Sequence, residues 1–153
     1  MKIALGADHR GFPIRARVVE LLRRLEHEVE DVGTFSCDAV DYPDVAAKVA
    51  RMISRGEADR GILICGTGLG MCFSANKFPG VRAAPCHDVL TAEMSRRHND
   101  ANILCLSADL LGEHLVDQMV ELWLKTPFEG GRHARRVGKI CEIEAEVRAE
   151  KPA

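Results

Sequence analysis

A thiol followed at once by three closely spaced glycines is the first place in this chain where chemistry is expected. Cys65 ends the apolar run Gly61-Ile62-Leu63-Ile64, and Gly66, Gly68 and Gly70 follow at alternate positions. Glycine permits positive φ and lets a ligand approach the backbone closely. Successive loop amides can then aim at one anionic group. A thiol above such amides can act as a base or a nucleophile, and the same amides can hold an oxyanion. Thr67 adds a hydroxyl inside the loop. The spacing is not GxGxxG, because Met71 stands beyond Gly70, and the Gly-Lys-Ser/Thr ending of a phosphate-binding P-loop is missing. A small anion, or an oxyanion formed during a reaction, suits the loop better than a dinucleotide or ATP. The bland alternative is a tight strand-to-helix turn beside an inert cysteine.

Three other groups of polar residues stand near predicted element ends. Asp8 and His9 follow the first strand-like run, Lys2 to Ala7. His98 and Asn99 lie in Arg96-Arg97-His98-Asn99-Asp100, between a helical pattern and a strand. A cation-rich helix end on the surface is the plain account of that stretch. Arg132, His133, Arg135 and Arg136 follow Gly130-Gly131 at a predicted helix start, where cations oppose the helix dipole. Arginines set against that preference point to an anion between them, phosphate being the usual one. A solvated charge run is the competing account.

The elements that must position these groups alternate along the chain. Strands are expected at Lys2 to Ala7, Glu28 to Val32, Gly61 to Cys65, Val81 to Pro85 and Ile103 to Ser107. Helices are expected after Pro13, from Asp44 as a cap, from about Met71 to Asn76, from His87 to Arg97, from Leu110 to Leu124, and from His133 to about Glu150. On the last helix Val137, Ile140, Cys141 and Val147 fall on one side. Such alternation predicts an α/β fold, a five-stranded parallel sheet with helices on both faces. In the order 2-1-3-4-5, strands one and three are neighbours at the switch point, and Asp8-His9 shares a crevice with Cys65 to Gly70. Residues 1–150 read as one domain and 151–153 as a tail.

Composition narrows the classes. The chain has 153 residues, 46% of them hydrophobic, so it can build a core, and its net charge of −2 argues against nucleic-acid and anionic-membrane partners. The amino terminus acquires charge too early for a signal peptide, no apolar run approaches a membrane span, and a cytoplasmic location is expected. The six cysteines form no CxxC pair, and no ligand cluster stands at a recognised metal-binding spacing, so neither a disulfide framework nor a metal is expected. Cys141 lies on the apolar side of a helical pattern, and most of the six read as small buried hydrophobes.

The motifs Asp8-His9-Arg10-Gly11, Asp41-Tyr42-Pro43, Ile64-Cys65-Gly66-Thr67-Gly68, Ala75-Asn76-Lys77, Arg97-His98-Asn99-Asp100 and Glu129-Gly130-Gly131-Arg132-His133 stand in one order. In this the chain resembles the type B ribose-5-phosphate isomerases and the wider superfamily that includes galactose-6-phosphate isomerase subunits. The resemblance covers nearly the whole chain. It implies a Rossmann-like αβα sandwich and an aldose–ketose isomerase that works through an enediolate without metal or cofactor. It implies Cys65 as the base, with Thr67 beside it, and the backbone of Gly66, Gly68, Leu69 and Gly70 as the cradle of the enediolate oxygen. His98 would assist ring opening. Asp8, Tyr42, Thr67 and Asn99 would contact sugar hydroxyls, and His9, Arg132 and Arg136 the phosphate. A homodimer or homotetramer with sites shared between subunits is implied as well. The pattern departs at Asp109, where many members carry an arginine in the ligand-binding set. Asp109 is expected either to cap a helix beginning near Leu110 and point away from the site, or to face a hydroxyl-bearing part of a different sugar. Ribose 5-phosphate is the first substrate to test, with other pentose, tetrose or hexose phosphates behind it. A non-catalytic sugar-phosphate-binding or redox-sensing module, with Cys65 as a sensor thiol, is the reading from another class.

Overall fold

The computed structural model describes residues 1–150; the expected tail lies outside the described residues. The chain runs β1 (Lys2–Ala7), α1 (Phe12–Arg24), β2 (Glu28–Asp31), α2 (Tyr42–Ser54), β3 (Arg60–Cys65), α3 (Leu69–Ala75), β4 (Ala83–Pro85), α4 (Val89–Asn99), β5 (Ile103–Ser107), α5 (Glu113–Lys125) and α6 (Arg132–Ala149). All four strand pairings are parallel, which makes this the expected α/β sandwich.

The strand order is β2-β1-β3-β5-β4, which corrects the expected 2-1-3-4-5. The reason lies in β4 and β5. β4 has three residues and ends in Pro85, which cannot donate to a ladder, so it belongs on an edge. β5 is five fully buried residues and suits the interior of a sheet. The exchange leaves β1 beside β3 but brings the end of β5 next to Cys65, with Cys65 paired to Ser107.

Strand side chains alternate between two cores. Ile3, Leu5, Ile62, Ile64, Leu104 and Leu106 pack with α1, α5 and Ala92 of α4. Ala4, Leu63, Cys65, Ile103 and Cys105 pack with α2 and α3. Cys65 therefore lies on the α2/α3 face. Trp123 of α5 is fully buried, its indole N–H donating to Ser95 Oγ at 3.1 Å, with the guanidinium groups of Arg60 and Arg96 at 5.3 and 5.7 Å from its ring. That cluster closes the end of the sheet where the strands begin.

Helix boundaries move at four expected sites. α2 starts at Tyr42 with Asp41, not Asp44, before it, because Pro43 fits a first turn. α3 starts at Leu69 rather than near Met71. α4 starts at Val89, capped by Asp88, whose Oδ1 accepts the Thr91 N–H at 2.7 Å; His87 is left outside. α5 starts at Glu113 behind Gly112, so Asp109 caps no helix. On α6 only His133 and Val137 are buried. Ile140, Cys141, Ile143 and Val147 are exposed, which corrects the expected burial of Cys141; Cys37 is exposed too.

Candidate active site

The carboxyl ends of β1, β3 and β5 meet at one crevice. Cys65 closes β3 and is 4% exposed, and its Sγ accepts the Gly68 N–H at 3.2 Å. Gly68 carries φ +80 at the start of α3, a conformation that side chains disfavour. The loop's carbonyls are tied back. The Gly66 carbonyl accepts from Ser107 Oγ at 2.6 Å and from the Asp109 N–H at 3.1 Å. The Thr67 carbonyl is 3.0 Å from His87 Nε2. With these carbonyls engaged, the loop peptides are fixed; the Gly68 N–H is taken by Cys65 Sγ, and the amides of the first turn of α3 have no intrahelical partners. Thr67 Oγ1 lies 3.4 Å from the Leu69 nitrogen. Gly70 lets Tyr42 lie flat against the loop, since a Cβ there would stand 2.7 Å from the ring.

Asp8 is buried at the same edge. Its Oδ1 accepts the N–H groups of Arg10 and Gly11 at 2.9 and 3.0 Å, which turns the chain into α1. The turn uses one carboxylate oxygen and leaves Oδ2 for a ligand. His9 Nδ1 accepts the Val40 N–H at 3.3 Å, so Nε2 is the free nitrogen. The structure thus brings Asp8, His9, Tyr42, Cys65, Gly66, Thr67, Gly68, Leu69 and Gly70 to one edge.

His98, Asn99, Arg132 and Arg136 are elsewhere. α4 leaves the carboxyl edge after β4 and ends where β3 and β5 begin; Asn102, just beyond it, accepts the Gly61 N–H on its carbonyl at 2.8 Å. α6 begins beside that end, and the Glu129 N–H donates to the Arg97 carbonyl at 3.0 Å. Between the two groups lies the length of β3, six residues at about 3.3 Å each, or roughly 20 Å.

The amino-edge group is compact and charged. The His98 and His133 rings stack in parallel with centroids 4.1 Å apart. Glu129 Oε2 lies 3.7 Å from His98 Nε2 and 3.6 Å from His133 Nε2, and Oε1 accepts from Arg97 Nε at 2.6 Å. Arg97 holds the Glu129 carboxyl below its usual range, and burial together with His98 and Arg132 pushes His133 down. The donor atoms of His98, Glu129 and His133 all lie within 4.8 Å of one another, a closeness that metal ligands also show. Here Arg97 already engages the carboxylate and Arg132 Nε lies 3.3 Å from His133 Nε2, so the charge balance favours an anion over a cation.

Sequence reasoning missed His87, Ser107 and Arg10 at the carboxyl edge. The pattern Asp88 followed three residues on by Thr91 is a helix-start signal that would have freed His87 from α4. Ser107 needed the corrected strand order, while Arg10, two residues beyond Asp8, was placed at this edge by either order. Two other buried thiols are poorly suited to chemistry, since burial pushes Cys86 up to about 11 and Cys105 well above its ordinary value; Cys72 is held below its ordinary value by hydrogen bonds with Cys105 and Asn76, but it packs in the α2/α3 core with its Sγ 3.3 Å from the Ala83 carbonyl.

Comparison with known proteins supplies the family. Residues 3–140 match the family model described as Ribose/Galactose Isomerase. The chain is similar to ribose-5-phosphate isomerase B of Escherichia coli K12, 46% identical over 143 residues that cover 94% of this chain and 96% of that protein. In structure it is similar to ribose-5-phosphate isomerase B of Clostridium thermocellum, with a TM-score of 0.94 and 51% identity over 96% of this chain and 99% of the other. It is also similar to ribose-5-phosphate isomerase B of Mycoplasma genitalium solved with bound ribulose-5-phosphate, with a TM-score of 0.92 and 41% identity over 95% and 97%. With the match running through most of the sequence and all five strands, the chain belongs to the ribose/galactose isomerase family.

Proposed function

We propose that this sugar-phosphate isomerase interconverts ribose 5-phosphate and ribulose 5-phosphate, a step of pentose phosphate metabolism in the cytoplasm. The observation that carries the reading is Cys65 Sγ at the carboxyl end of β3, accepting the Gly68 N–H, beside a loop whose Gly66 and Thr67 carbonyls are tied back. In the open-chain aldose, Cys65 as thiolate removes the proton from C2. The electron pair moves into the C1–C2 bond and the carbonyl oxygen on C1 becomes the enediolate oxygen, held by loop amides. Cys65 then returns its proton to C1, the hydroxyl proton on O2 passes to O1, and the ketose results. Asp8, Tyr42, Thr67 and Asn99 are assigned to sugar hydroxyls, His9, Arg132 and Arg136 to the phosphate, and His98 to opening the cyclic sugar. The names of the similar proteins support the choice of pentose.

The roughly 20 Å between the two groups supports a second part of the proposal. A second copy of the chain brings its His98, Asn99, Arg132 and Arg136 to the Cys65 crevice, so that each site is shared. A groove of about 950 Å³ lies between α6 and the turn before β4, with Ile140, Ile143 and Val147 exposed along it. An apolar face of this kind belongs in contact with protein, and a second copy is the partner that would also complete the site. No helix among the described residues is long and apolar enough to cross a membrane.

The test is a coupled isomerase assay over tetrose, pentose and hexose phosphates, with and without extended EDTA treatment. The highest kcat/KM is expected on ribose 5-phosphate, with activity surviving chelation. A wild-type protein that turns over no phosphosugar would contradict the reading, and loss of activity on chelation with recovery on adding a divalent ion would contradict the metal-free mechanism.

A further inference from the structure

We infer that Arg10 and Asp109 form a fixed ion pair roofing the start of the glycine loop, with Arg10 as a specificity-determining donor to the anionic end of the substrate and Asp109 as its tether. The inference rests on the sugar-phosphate reading above and deepens it. Arg10 follows β1 and Asp109 follows β5, with Gly66 after β3 between them. Arg10 Nη2 donates to Asp109 Oδ2 at 2.7 Å. A Cβ on Gly66 would stand 2.9 Å from that same Oδ2 and 3.9 Å from Arg10 Cγ, so the pair passes directly over the residue next to Cys65.

Both ends of the pair are anchored through the backbone. Asp8 Oδ1 accepts the Arg10 N–H at 2.9 Å, and the Asp109 N–H donates to the Gly66 carbonyl at 3.1 Å. Ser107 Oγ, which donates to the same Gly66 carbonyl, accepts the Leu110 N–H at 3.0 Å. A surface ion pair between two flexible side chains does little. This one starts from fixed stems, so less freedom is lost in forming it.

The consequence for binding is one of charge and of donors. Asp109 alone would set a carboxylate at the mouth of a crevice that takes an anion, and like charges repel. Arg10 cancels that charge. Only one of its nitrogens is committed to Asp109; Nη1 and Nε keep donors in the same planar fork. The Arg10 side chain is 58% exposed, and the neighbouring His9 also has a free ring nitrogen, Nε2. Two adjacent residues thus offer donors to one anionic group, and the tether decides where the first of them stands.

The experiment is a double-mutant cycle on the active enzyme, with KM and kcat measured on the best phosphosugar and inhibition measured with inorganic phosphate. Arg10→Ala should raise KM and the phosphate inhibition constant by at least about ten-fold while kcat changes far less, the scale of a lost hydrogen bond to a charged group. Asp109→Ala should raise both by only about three-fold, and Arg10→Ala/Asp109→Ala should bind better than Arg10→Ala because the bare carboxylate is gone; such non-additivity is the mark of direct coupling. Arg10→Lys should fall between wild type and Arg10→Ala. Circular dichroism checks that each variant is folded. Unchanged KM and phosphate inhibition in folded Arg10→Ala, or a double variant no better than Arg10→Ala, would overturn the inference. A wild type inactive on every phosphosugar would instead sink the isomerase reading on which the inference stands.

Discussion

The two edges of the sheet are built by different means. At the carboxyl edge the working parts are backbone amides and one nearly buried thiol, and the carbonyls that would oppose an anion are engaged by Ser107, Asp109 and His87. At the amino edge they are ionic side chains: Arg97 on Glu129, His98 stacked on His133, and Arg132 against the second ring. In the proposed function the first edge would hold a reacting oxygen at a fixed point and the second would attract an anion. Neither contains a full set of groups for acting on a sugar phosphate. On the proposed reading the carboxyl edge carries the proton transfer, the amino edge carries ring opening through His98 and phosphate recognition through its arginines, and the second copy joins the two.

The comparison can be broken most sharply at the thiol. Cys65→Ala should fold and lose at least about 10²-fold in kcat, the usual scale for general acid–base catalysis. Cys72→Ala, in the second core and bonded to Ala83, should keep most of its turnover. Equal losses in the two variants would remove the distinction between a catalytic and a structural cysteine. At the amino edge the expected change is in binding. Arg136→Ala should raise KM by about ten-fold with a small effect on kcat, from one lost charge-assisted contact; a kcat loss as large as that of Cys65→Ala would mean that Arg136 does more than bind the phosphate.

Acid should act on stability through the amino edge. His133 has a folded pKa below its ordinary value, so its contribution to stability is present above about pH 6.5 and is lost as pH falls from there through the lower folded pKa. Glu129 is also held low, and its contribution goes only below the ordinary carboxylate range. Tm by calorimetry should therefore drop between pH 7 and pH 5, and His133→Asn should flatten that drop; an unchanged slope would remove His133 as the cause. The smallest effect is expected at the helix that joins the two edges. Asp88→Ala removes the cap of α4 and should cost about 1 kcal/mol, or roughly 3 °C in Tm, without changing kcat. A large kcat loss there would tie the cap to the reaction.

Much of this was legible in the sequence. Alternating apolar runs and helical stripes specify the parallel sandwich, and the Cys65 loop announces itself by its glycines. The strand order was not legible, because Val81 to Pro85 and Ile103 to Ser107 look alike as apolar runs. Their difference is how Pro85 and burial act once a sheet exists. The placement of Asp109 depends on that order, which is why a helix cap was a reasonable expectation for it. The location of His98 was within reach: a helix between two parallel strands must end at the amino edge. Burial of Cys141 was misjudged because a stripe such as Ile140, Ile143 and Val147 looks the same whether it covers its own core or a second chain.

The central claim, that the two edges meet across copies, is tested most directly by mixing two inactive variants. Cys65→Ala keeps an intact amino edge and His98→Ala an intact carboxyl edge. Mixed in equal amounts, dissociated and allowed to reassociate, they should recover about a quarter of wild-type activity, since about half the re-formed dimers are mixed and each holds one intact site. Recovery of no activity from a mixture shown by mass to contain the mixed dimer, or an active enzyme that sediments as a monomer, would contradict the claim.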